Sequence, residues 1–441
     1  MINEDTVVAQ ATPHGQGSIS VVRISGKESL LIAKKISKSK NTLMNRQASL
    51  RSIFLSEEKK IDKAIFLFFE GPSSYTGEDV VEISCHGNPF IVESIINFCC
   101  ENGARIAEPG EFTKRAFLNK KLDLVQAEAV GDLISAKSRD AALHQNKNLL
   151  GFVSSEISDI KESLLNMLSS IEFELDISES EENLSQAVEN HYKCIKNNTL
   201  RVKSVLKTYK MGLAYTSGIR IVLVGKPNVG KSTLMNQILK TNRSITSPIS
   251  GTTRDTVTSE VIISGVPATI IDTAGITKSN NPIEKEGVLR TSSEIKKANL
   301  IISLSAPNSD EVLVGFPKKT ISVFNKADIE KPNRKKKGVF YISALKGTGV
   351  KDLIKEVEKR TAYVTPSSSS TINNLRQKEA LRKSSASLSR ALTLLGKKPF
   401  VEFELVAFEI RSSINHLEVF LGKISSEDVL NRVFSGFCVG K

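Results

Sequence analysis

The chain has 441 residues, 40% of them hydrophobic, which is enough apolar material for about two to four domains with their own cores. Its formal net charge is +13, and this excess, interpreted as spread along the chain, favours a polyanionic partner such as RNA. No apolar run approaches about 18 residues and no charged-then-apolar leader is present, so we expect no membrane span and a cytoplasmic location. Five cysteines without CxxC spacing argue against disulfides and a zinc site.

The first part of the chain, residues 1–118, mixes short β-like runs with one helical stretch, a pattern typical of a compact α+β domain. The β-like runs are Ile19 to Ile24, Lys63 to Phe69 and Val80 to Ser84, and the helical stretch is Phe90 to Glu101.

Two further segments, residues 119–215 and 366–441, carry apolar residues at helical spacing. The first stripe consists of Ile157, Ile160, Leu164, Met167, Ile171 and Leu175, and the second of Ala407, Ile410, Ile414, Leu417 and Leu421. No proline occurs between Pro109 and Pro227, as long helices require. We therefore predict one helical bundle built from both segments, with residues 216–365 inserted between them as a separate domain.

The inserted region opens with a phosphate-binding pattern. Gly225–Ser232 reads GxxxxGKS and directly follows the apolar run Ile219 to Val224. Glycines let backbone N–H groups point at phosphate oxygens, the lysine of this pattern reaches the β- and γ-phosphates, and its serine ligates magnesium. The predicted nucleotide contacts from this loop are Asn228, Val229, Gly230, Lys231, Ser232 and Thr233.

Three later motifs identify the nucleotide as GTP. Asn325-Lys326-Ala327-Asp328 follows a β-like run and reads NKxD, whose aspartate accepts both N1–H and the 2-amino group of guanine. Ser343-Ala344-Leu345 fits the loop that contacts the guanine carbonyl oxygen. Asp272-Thr273-Ala274-Gly275 fits the DxxG loop, which holds magnesium through water and senses the γ-phosphate. The four elements in this order predict a Ras-like, doubly wound P-loop GTPase domain.

The motif Gly251–Asp255 reads GTTRD and resembles switch I of the Era-like, TrmE-type branch of P-loop GTPases. By this resemblance Thr253 would ligate magnesium together with Ser232. The ligands of an activating potassium ion would be Asn228, Ser247, Ile249 and Thr252. Ile276 stands where Ras-like enzymes carry a water-orienting glutamine, and Glu284, assigned by its spacing from Gly275, would position the attacking water.

Motifs along the whole chain are similar to those of the MnmE (TrmE) family of tRNA-modification GTPases. They include a C-terminal CxGK, Cys438–Lys441, and a set of N-terminal segments. These segments are Ala11–Pro13, Arg23–Gly26, Ser74–Asp79, Cys85–Gly87, Glu108–Thr113 and Arg115–Leu124. The resemblance implies three domains in four segments: a folate-binding and dimerisation domain at 1–118, a helical domain at 119–215 and 366–441, and a GTPase domain at 216–365.

The resemblance also implies a reaction. Family members are homodimers that act with the flavoprotein MnmG, which supplies FAD, to add a carboxymethylaminomethyl-type group to C5 of the wobble uridine of certain tRNAs. A 5-formyl- or methylene-tetrahydrofolate would contact Arg23, Glu82, Lys121 and Lys441, and Cys438 is a candidate catalytic thiol. Where the family typically reads TPPGRGG, Thr12–Ser18 departs from it and lacks the basic residue.

Two other interpretations remain open from the sequence. A ribosome-assembly GTPase of the Era type, binding rRNA, would also carry GTTRD and NKxD, although no GxxG-bearing KH-like unit follows residue 363. A non-enzymatic scaffold that only switches conformation is the second, and the complete P-loop argues against it.

Overall fold

The structure is a computed structural model that describes residues 5–56, 58–176, 181–241, 257–273, 293–307, 309, 317–330, 336–361, 371–396, 402–423 and 427–440. The predicted site residues outside these ranges are Ser247, Ile249, Thr252, Thr253, Ala274, Gly275, Glu284 and Lys441. The chain divides into two compact units. One unit comprises residues 1–134, 146–203 and 379–441, and the other comprises 135–145 and 204–378.

The first unit contains a six-stranded sheet in the order β3-β4-β5-β2-β1-β6. Its strands are β1 Thr6–Gln10, β2 Ile19–Ser25, β3 Ser49–Phe54, β4 Lys60–Phe69, β5 Val80–His86 and β6 Ala104–Ile106. Only the β1–β6 pair is parallel. Because side chains alternate across a strand, Val22 and Ile24 lie in the core while Arg23 projects from the opposite face. Helices α1 (Ser29–Ser37) and α2 (Pro89–Glu101) cover the core face.

The remaining helices include long ones where the apolar stripes predict them, at Phe152–Asp176 and Phe403–Leu421. They are α3 Glu111–Leu118, α4 Leu124–Ser135, α5 Arg139–Leu149, α6 Phe152–Asp176, α7 Glu181–Lys207, α8 Tyr209–Ser217, α9 Lys231–Thr241, α10 Val350–Thr361, α11 Leu375–Leu395, α12 Phe403–Leu421 and α13 Glu427–Phe434. No helix in the described part of the chain is both long and apolar enough to cross a bilayer.

Helices α6 and α12 pack against each other within the first unit, although the inserted region separates them in sequence. Both predicted stripes are buried, apart from Leu175, whose side chain lies outside the described part. Lys161 lies 3.6 Å from Glu418, and Arg411 pairs with Glu172. The prediction of a helical domain with a second domain inserted in it is therefore confirmed, while the second compact unit also takes in residues 135–145 and begins at residue 204.

The second unit contains a sheet in the order β12-β11-β10-β7-β9-β8. Its strands are β7 Ile219–Val224, β8 Val257–Ile263, β9 Val266–Asp272, β10 Leu300–Ser305, β11 Thr320–Phe324 and β12 Val339–Tyr341. All neighbouring strands are parallel except β8 and β9. Strand β7, near the middle of the sheet, is buried along most of its length, as expected of a parallel sheet covered on both faces. The doubly wound fold predicted from the motifs is confirmed.

A buried charge network holds the N-terminal strand, α3 and the loop before β5 together. The Arg115 side chain is 6% exposed, and its guanidinium donates to Asp5 at 2.7 Å, Glu111 at 2.9 Å and Glu78 at 3.1 Å. Arg105 also binds Glu111, at 2.6 Å. Burial alone would raise the pKa of Glu111, but the hydrogen bonds from Arg105 and Arg115 outweigh it and hold that pKa below its ordinary value.

We predict that Arg115→Met lowers the free energy of unfolding of this region by about 3 kcal/mol, because it removes the cation paired with Glu78 and leaves Asp5 and Glu111 paired with Arg105 alone. The folded-state pKa of Glu111 is lowered, so its contribution is complete above an ordinary carboxyl pKa of about 4.3 and is lost as the pH falls further. The variant should therefore lose less stability than the wild type on acidification. Hydrogen exchange of β1 and α3 peptides across a urea series measures both effects.

The matched control is Arg411→Met, which removes an arginine from an exposed pair with Glu172. Exposed pairs contribute about 0–1 kcal/mol, so this variant should unfold almost like the wild type. Equal losses in the two variants would contradict a special role for the buried network.

Candidate functional site

The phosphate-binding loop joins β7 to α9 and has an unusual backbone. Asn228 has φ 63° and Gly230 has φ 94°, both in the left-handed region. A Cβ on Gly230 would lie 2.3 Å from the side-chain nitrogen of Asn325, so this position requires glycine. That nitrogen donates to the Val229 carbonyl at 2.8 Å, and the Asn325 oxygen accepts from the Ala344 N–H at 2.9 Å. Asn325 therefore links the phosphate loop to the Ser-Ala-Leu loop.

Lys231 lies inside the phosphate loop. Lys231 is 4% exposed, and its ammonium donates to the carbonyls of Gly225 at 2.6 Å and Lys226 at 3.0 Å. Burial lowers the pKa of Lys231, while Asp272 opposes that shift. A cation held against the loop backbone is positioned to meet an anion that the same loop surrounds.

The end of β9 supplies an acidic group beside the first turn of α9. The Ser232 hydroxyl donates to the Asp272 carboxylate at 2.6 Å, and Asp272 is 2% exposed. The Thr273 hydroxyl donates to the Leu223 carbonyl at 2.8 Å, which ties this end of β9 to β7. Hydroxyl and carboxylate oxygens are the ligands that Mg²⁺ prefers, so the residues present fit a magnesium ion.

The predicted guanine-binding residues also lie together. Asp328 accepts a hydrogen bond from Ser343 and lies 3.6 Å from the Lys346 ammonium, and the two lower its pKa, Ser343 more strongly. Lys326 has φ 62°, and the Leu345 side chain is 79% exposed. Sequence reasoning missed Lys346. Its only signal was its place directly after the Ser-Ala-Leu motif.

Arg23 and Glu82 form a second candidate site, on the face of the N-terminal sheet opposite α1 and α2. They are paired across β2 and β5, with Arg23 Nη2 2.8 Å from Glu82 Oε1. The Arg23 guanidinium lies 5.4 Å from the centre of the Tyr75 ring and 5.5 Å from that of Phe112. Tyr75 belongs to the motif Ser74–Asp79 and Phe112 to the motif Glu108–Thr113. The pair thus lies against two aromatic rings.

Lys121 lies beside the loop that carries Tyr75. The Asn119 side chain donates to the Thr76 carbonyl at 2.7 Å, which fixes the loop to the end of α3. The Lys121 Cγ lies 3.4 Å from the place that a Cβ on Gly77 would take. The turn after α3 therefore brings Lys121 to the same loop as Tyr75.

The C-terminal tail lies against the N-terminal sheet. The Gly110 N–H donates to the Cys438 carbonyl at 3.3 Å, and the Cys438 side chain is exposed. A Cβ on Gly440 would lie 2.0 Å from the Gln10 carbonyl, at the end of β1. Since the neighbouring residue Ala9 pairs with Arg23, the tail of this chain folds back toward the strand that carries the arginine.

The described site residues thus form two groups. The nucleotide group is in the second unit and consists of Asn228, Val229, Gly230, Lys231, Ser232, Thr233, Asp272, Thr273, Asn325, Lys326, Asp328, Ser343, Ala344 and Leu345. The N-terminal group is in the first unit and consists of Arg23, Glu82, Lys121 and Cys438. The Val229 and Ala344 side chains belong to the core, so only their backbone groups can contact a ligand.

Comparison with known proteins bears on both groups. Residues 6–121 match the family model for the GTP-binding protein TrmE N-terminus, and residues 124–438 match the model for the MnmE helical domain. A tRNA modification GTPase MnmE from Thermotoga maritima is 37% identical over 455 positions, covering 99% of this chain and 100% of the relative. One from Aquifex aeolicus is 37% identical over 454 positions with the same coverage.

A solved structure, the FeoB G domain from Methanococcus jannaschii, aligns with 33% of this chain and 98% of its own at 19% identity. Its TM-score of 0.26 is too low to bear on the assignment. The family models and the full-length relatives decide it. The chain belongs to the MnmE family of tRNA modification GTPases.

Proposed function

We propose that this GTPase is activated by potassium. With the flavoprotein MnmG, it adds a carboxymethylaminomethyl-type group to C5 of the wobble uridine, U34, of certain tRNAs. The observation that carries the proposal is that one chain combines a GTPase loop set with a TrmE-type N-terminal domain. It does so over the full length of relatives named tRNA modification GTPase. The substrate is tRNA.

Within the nucleotide group, different residues contact the phosphates and the guanine base. Lys231 contacts the β- and γ-phosphates of GTP, and Asp328 accepts the guanine N1–H and 2-amino groups. Ser232 and Thr253 would hold Mg²⁺, which when bound neutralises charge on the phosphate oxygens. The contact between Ser232 and Asp272 supports this role, because it places two oxygen ligands side by side.

The chain needs a substitute for the glutamine and arginine of other GTPases, because Ile276 cannot orient water. We assign the positive charge to a potassium ion held by Asn228, with Ser247, Ile249 and Thr252. Glu284 is the proposed water-positioning residue. Asn228 supports the assignment because its left-handed backbone places it at the bend of the phosphate loop.

The N-terminal group would hold a reduced folate, which when bound supplies the one-carbon unit. The Glu82 carboxylate can accept paired N–H donors of a pterin ring, and Arg23 can face the folate carboxylates. Tyr75 and Phe112, which flank Arg23, add flat apolar surface. Lys121 and Lys441 complete the set, and the tail against β1 supports the inclusion of Lys441.

The working protein is proposed to be a homodimer with one GTPase domain in each subunit. Residues 1–118 form the dimer contact and the folate domain, 119–215 and 366–441 the helical domain, and 216–365 the GTPase domain. The GTPase domains meet when their switches close around potassium. MnmG supplies FAD for the redox part of the modification, and glycine or ammonium supplies the nitrogen.

The base-recognition role predicts that Asp328→Ala weakens GTP and GDP binding by at least about tenfold, because a charged acceptor of two hydrogen bonds is lost. Titration of a fluorescent GDP analogue measures the change. The control is Glu330→Ala, which removes an exposed carboxylate two residues further along the chain and should bind normally. Normal binding by Asp328→Ala would contradict the assigned role.

The potassium role predicts much faster GTP hydrolysis in potassium than in sodium. Positive charge that stabilises the transition state raises the rate of hydrolysis by about a thousandfold or more. Asn228→Ala should remove most of the difference, whereas Asn236→Ala, an exposed asparagine on α9, should keep it. Steady-state phosphate release in the two salts provides the measurement. Equal wild-type rates in both salts would refute the proposal.

The tail role predicts that Cys438→Ser leaves GTP turnover nearly intact while reducing wobble-uridine modification, because Cys438 lies at the N-terminal sheet. Asp272→Ala should impair both activities, since the modification cycle depends on conformational change driven by hydrolysis. Mass spectrometry of tRNA nucleosides from a complemented deletion strain reports modification. Cys100→Ser is the matched control and should alter neither activity. If Cys438→Ser also altered neither, the thiol would have only a packing role.

A further inference from the structure

Several stretches of the chain are strongly basic, and one of them lies in the N-terminal domain. Between Lys27 and Arg51 there are seven Lys and Arg residues and one acidic residue, a net +6 out of the total of +13. The seven are Lys27, Lys34, Lys35, Lys38, Lys40, Arg46 and Arg51. The segment, here called the basic segment, forms α1, β3 and their connection.

A cavity of about 310 Å³ opens between α1 and the connection to β3, the edge strand of the N-terminal sheet. Lys27, Lys34 and Arg51 line it together with the polar side chain of Thr42. Asp79 is the acidic residue of the lining, and its Oδ1 already accepts the Gly71 N–H at 2.9 Å. The lining therefore has three cationic groups and one carboxylate.

Arg51 is the deepest of these cations, with 9% of its surface exposed. Its Nε donates to the Ser49 hydroxyl at 3.0 Å, and its Nη2 donates to the Thr42 carbonyl at 3.2 Å. Among the residues that the structure describes, no carboxylate lies within 4.0 Å of its guanidinium. Burial lowers the pKa of Arg51, and no acidic group offsets the shift. Since buried charges are normally paired, this one favours an anion from outside.

The lysines of the basic segment differ in their position relative to α1, and this position decides whether the helix dipole favours their charge. Lys34, Lys35 and Lys38 lie at the C-terminal end of α1, where the helix dipole favours cations. Lys38 also packs on the Phe54 ring and donates to the Ser56 carbonyl at 2.8 Å. Lys27 precedes the start of α1, where the dipole disfavours a cation, and it is exposed. Helix stability therefore accounts for the positions of Lys34, Lys35 and Lys38.

The cavity is separate from the proposed folate site. In β3 the buried residues Arg51 and Ile53 point to the helix-covered face of the sheet, where Ile53 joins the core with Val22. Arg23 and Glu82 project from the opposite face. An anion bound at Arg51 would therefore leave the folate residues free.

We propose that the basic segment binds backbone phosphates of tRNA, with Arg51 at the base of the cavity and Lys27 and Lys34 at its mouth. A single bound ion would explain the cavity alone. The cations continue beyond it through Lys35 and Lys40, which matches a polyanion. The choice of tRNA, among RNAs, as the bound ligand rests on the proposed function.

The test measures tRNA binding by the full-length protein, using fluorescence anisotropy over a series of KCl concentrations. Lys27→Gln, Lys34→Gln and Lys35→Gln combined should raise the Kd about tenfold and reduce the salt dependence by about 0.7–0.9 for each lost phosphate contact. Arg51→Gln should act in the same direction. The three-lysine variant changes only exposed residues, so it keeps the test decisive if Arg51→Gln fails to fold.

The matched control combines Lys351→Gln, Lys355→Gln and Lys359→Gln, which removes the same charge from the exposed face of α10. It should keep most of the affinity. Equal losses in the two triple variants, or none in the basic segment, would overturn the proposal. Calorimetry with inorganic phosphate forms a second arm. Phosphate binding that depends on Arg51, without any change in tRNA affinity, would assign the cavity to a small anion and also overturn it.

Wobble-uridine modification by the wild-type protein with MnmG separates this inference from the proposed function. If the wild-type protein modifies tRNA but the variants bind tRNA as tightly as the wild type, the proposal for the basic segment is overturned and the proposed function stands. If the wild-type protein does not modify tRNA but tRNA binding depends on the basic segment, the proposed reaction is overturned. The basic segment is then supported as an RNA-binding surface.

Discussion

The parallel register around β7 is the constraint on which the nucleotide site depends. Strand β7 pairs with β9 and β10, and β10 pairs with β11, all in the same direction. Their carboxyl ends therefore meet at one edge of the sheet, where ligands of open α/β sheets bind. Lys231, Asp272 and Asn325 come from three segments far apart in sequence, and each follows or ends one of these strands. The side chain of Asn325 then holds two of the loops in one geometry.

The N-terminal sheet depends on a different interaction, the buried network around Arg115. Its partners Asp5, Glu78 and Glu111 come from the chain start, the loop before β5 and α3. The loop of Glu78 also carries Tyr75, which lies against Arg23. An ion network in which each described arginine is paired with carboxylates thus positions the loop beside the proposed folate site. Arg51, on the other face of the same sheet, has no carboxylate within 4.0 Å among the described residues, and this contrast is the reason for proposing a binding role for it.

Much of the fold was predictable because local patterns agree with the final packing. Predicted strand Ile19 to Ile24 became β2, and the helical stripes of α6 and α12 are buried as their spacing requires. Lys231, Asp272 and Asn325 were predictable because motifs of this kind place each functional group at a set distance from a strand end. Tyr75, Phe112 and Lys346 were not, because their roles arise from contacts with residues elsewhere in the chain.

The sequence by itself determined the family, the nucleotide and the order of the domains, because these depend on short motifs and on periodicities that a single segment carries. The tertiary structure decided which charges are balanced. Arg51 and Arg115 are both buried arginines, and nothing in their sequence surroundings distinguishes them. Only the folded chain surrounds Arg115 with carboxylates and gives Arg51 none among the described residues. The electrostatic energy of a buried charge depends on neighbours in space, which the order of residues does not specify.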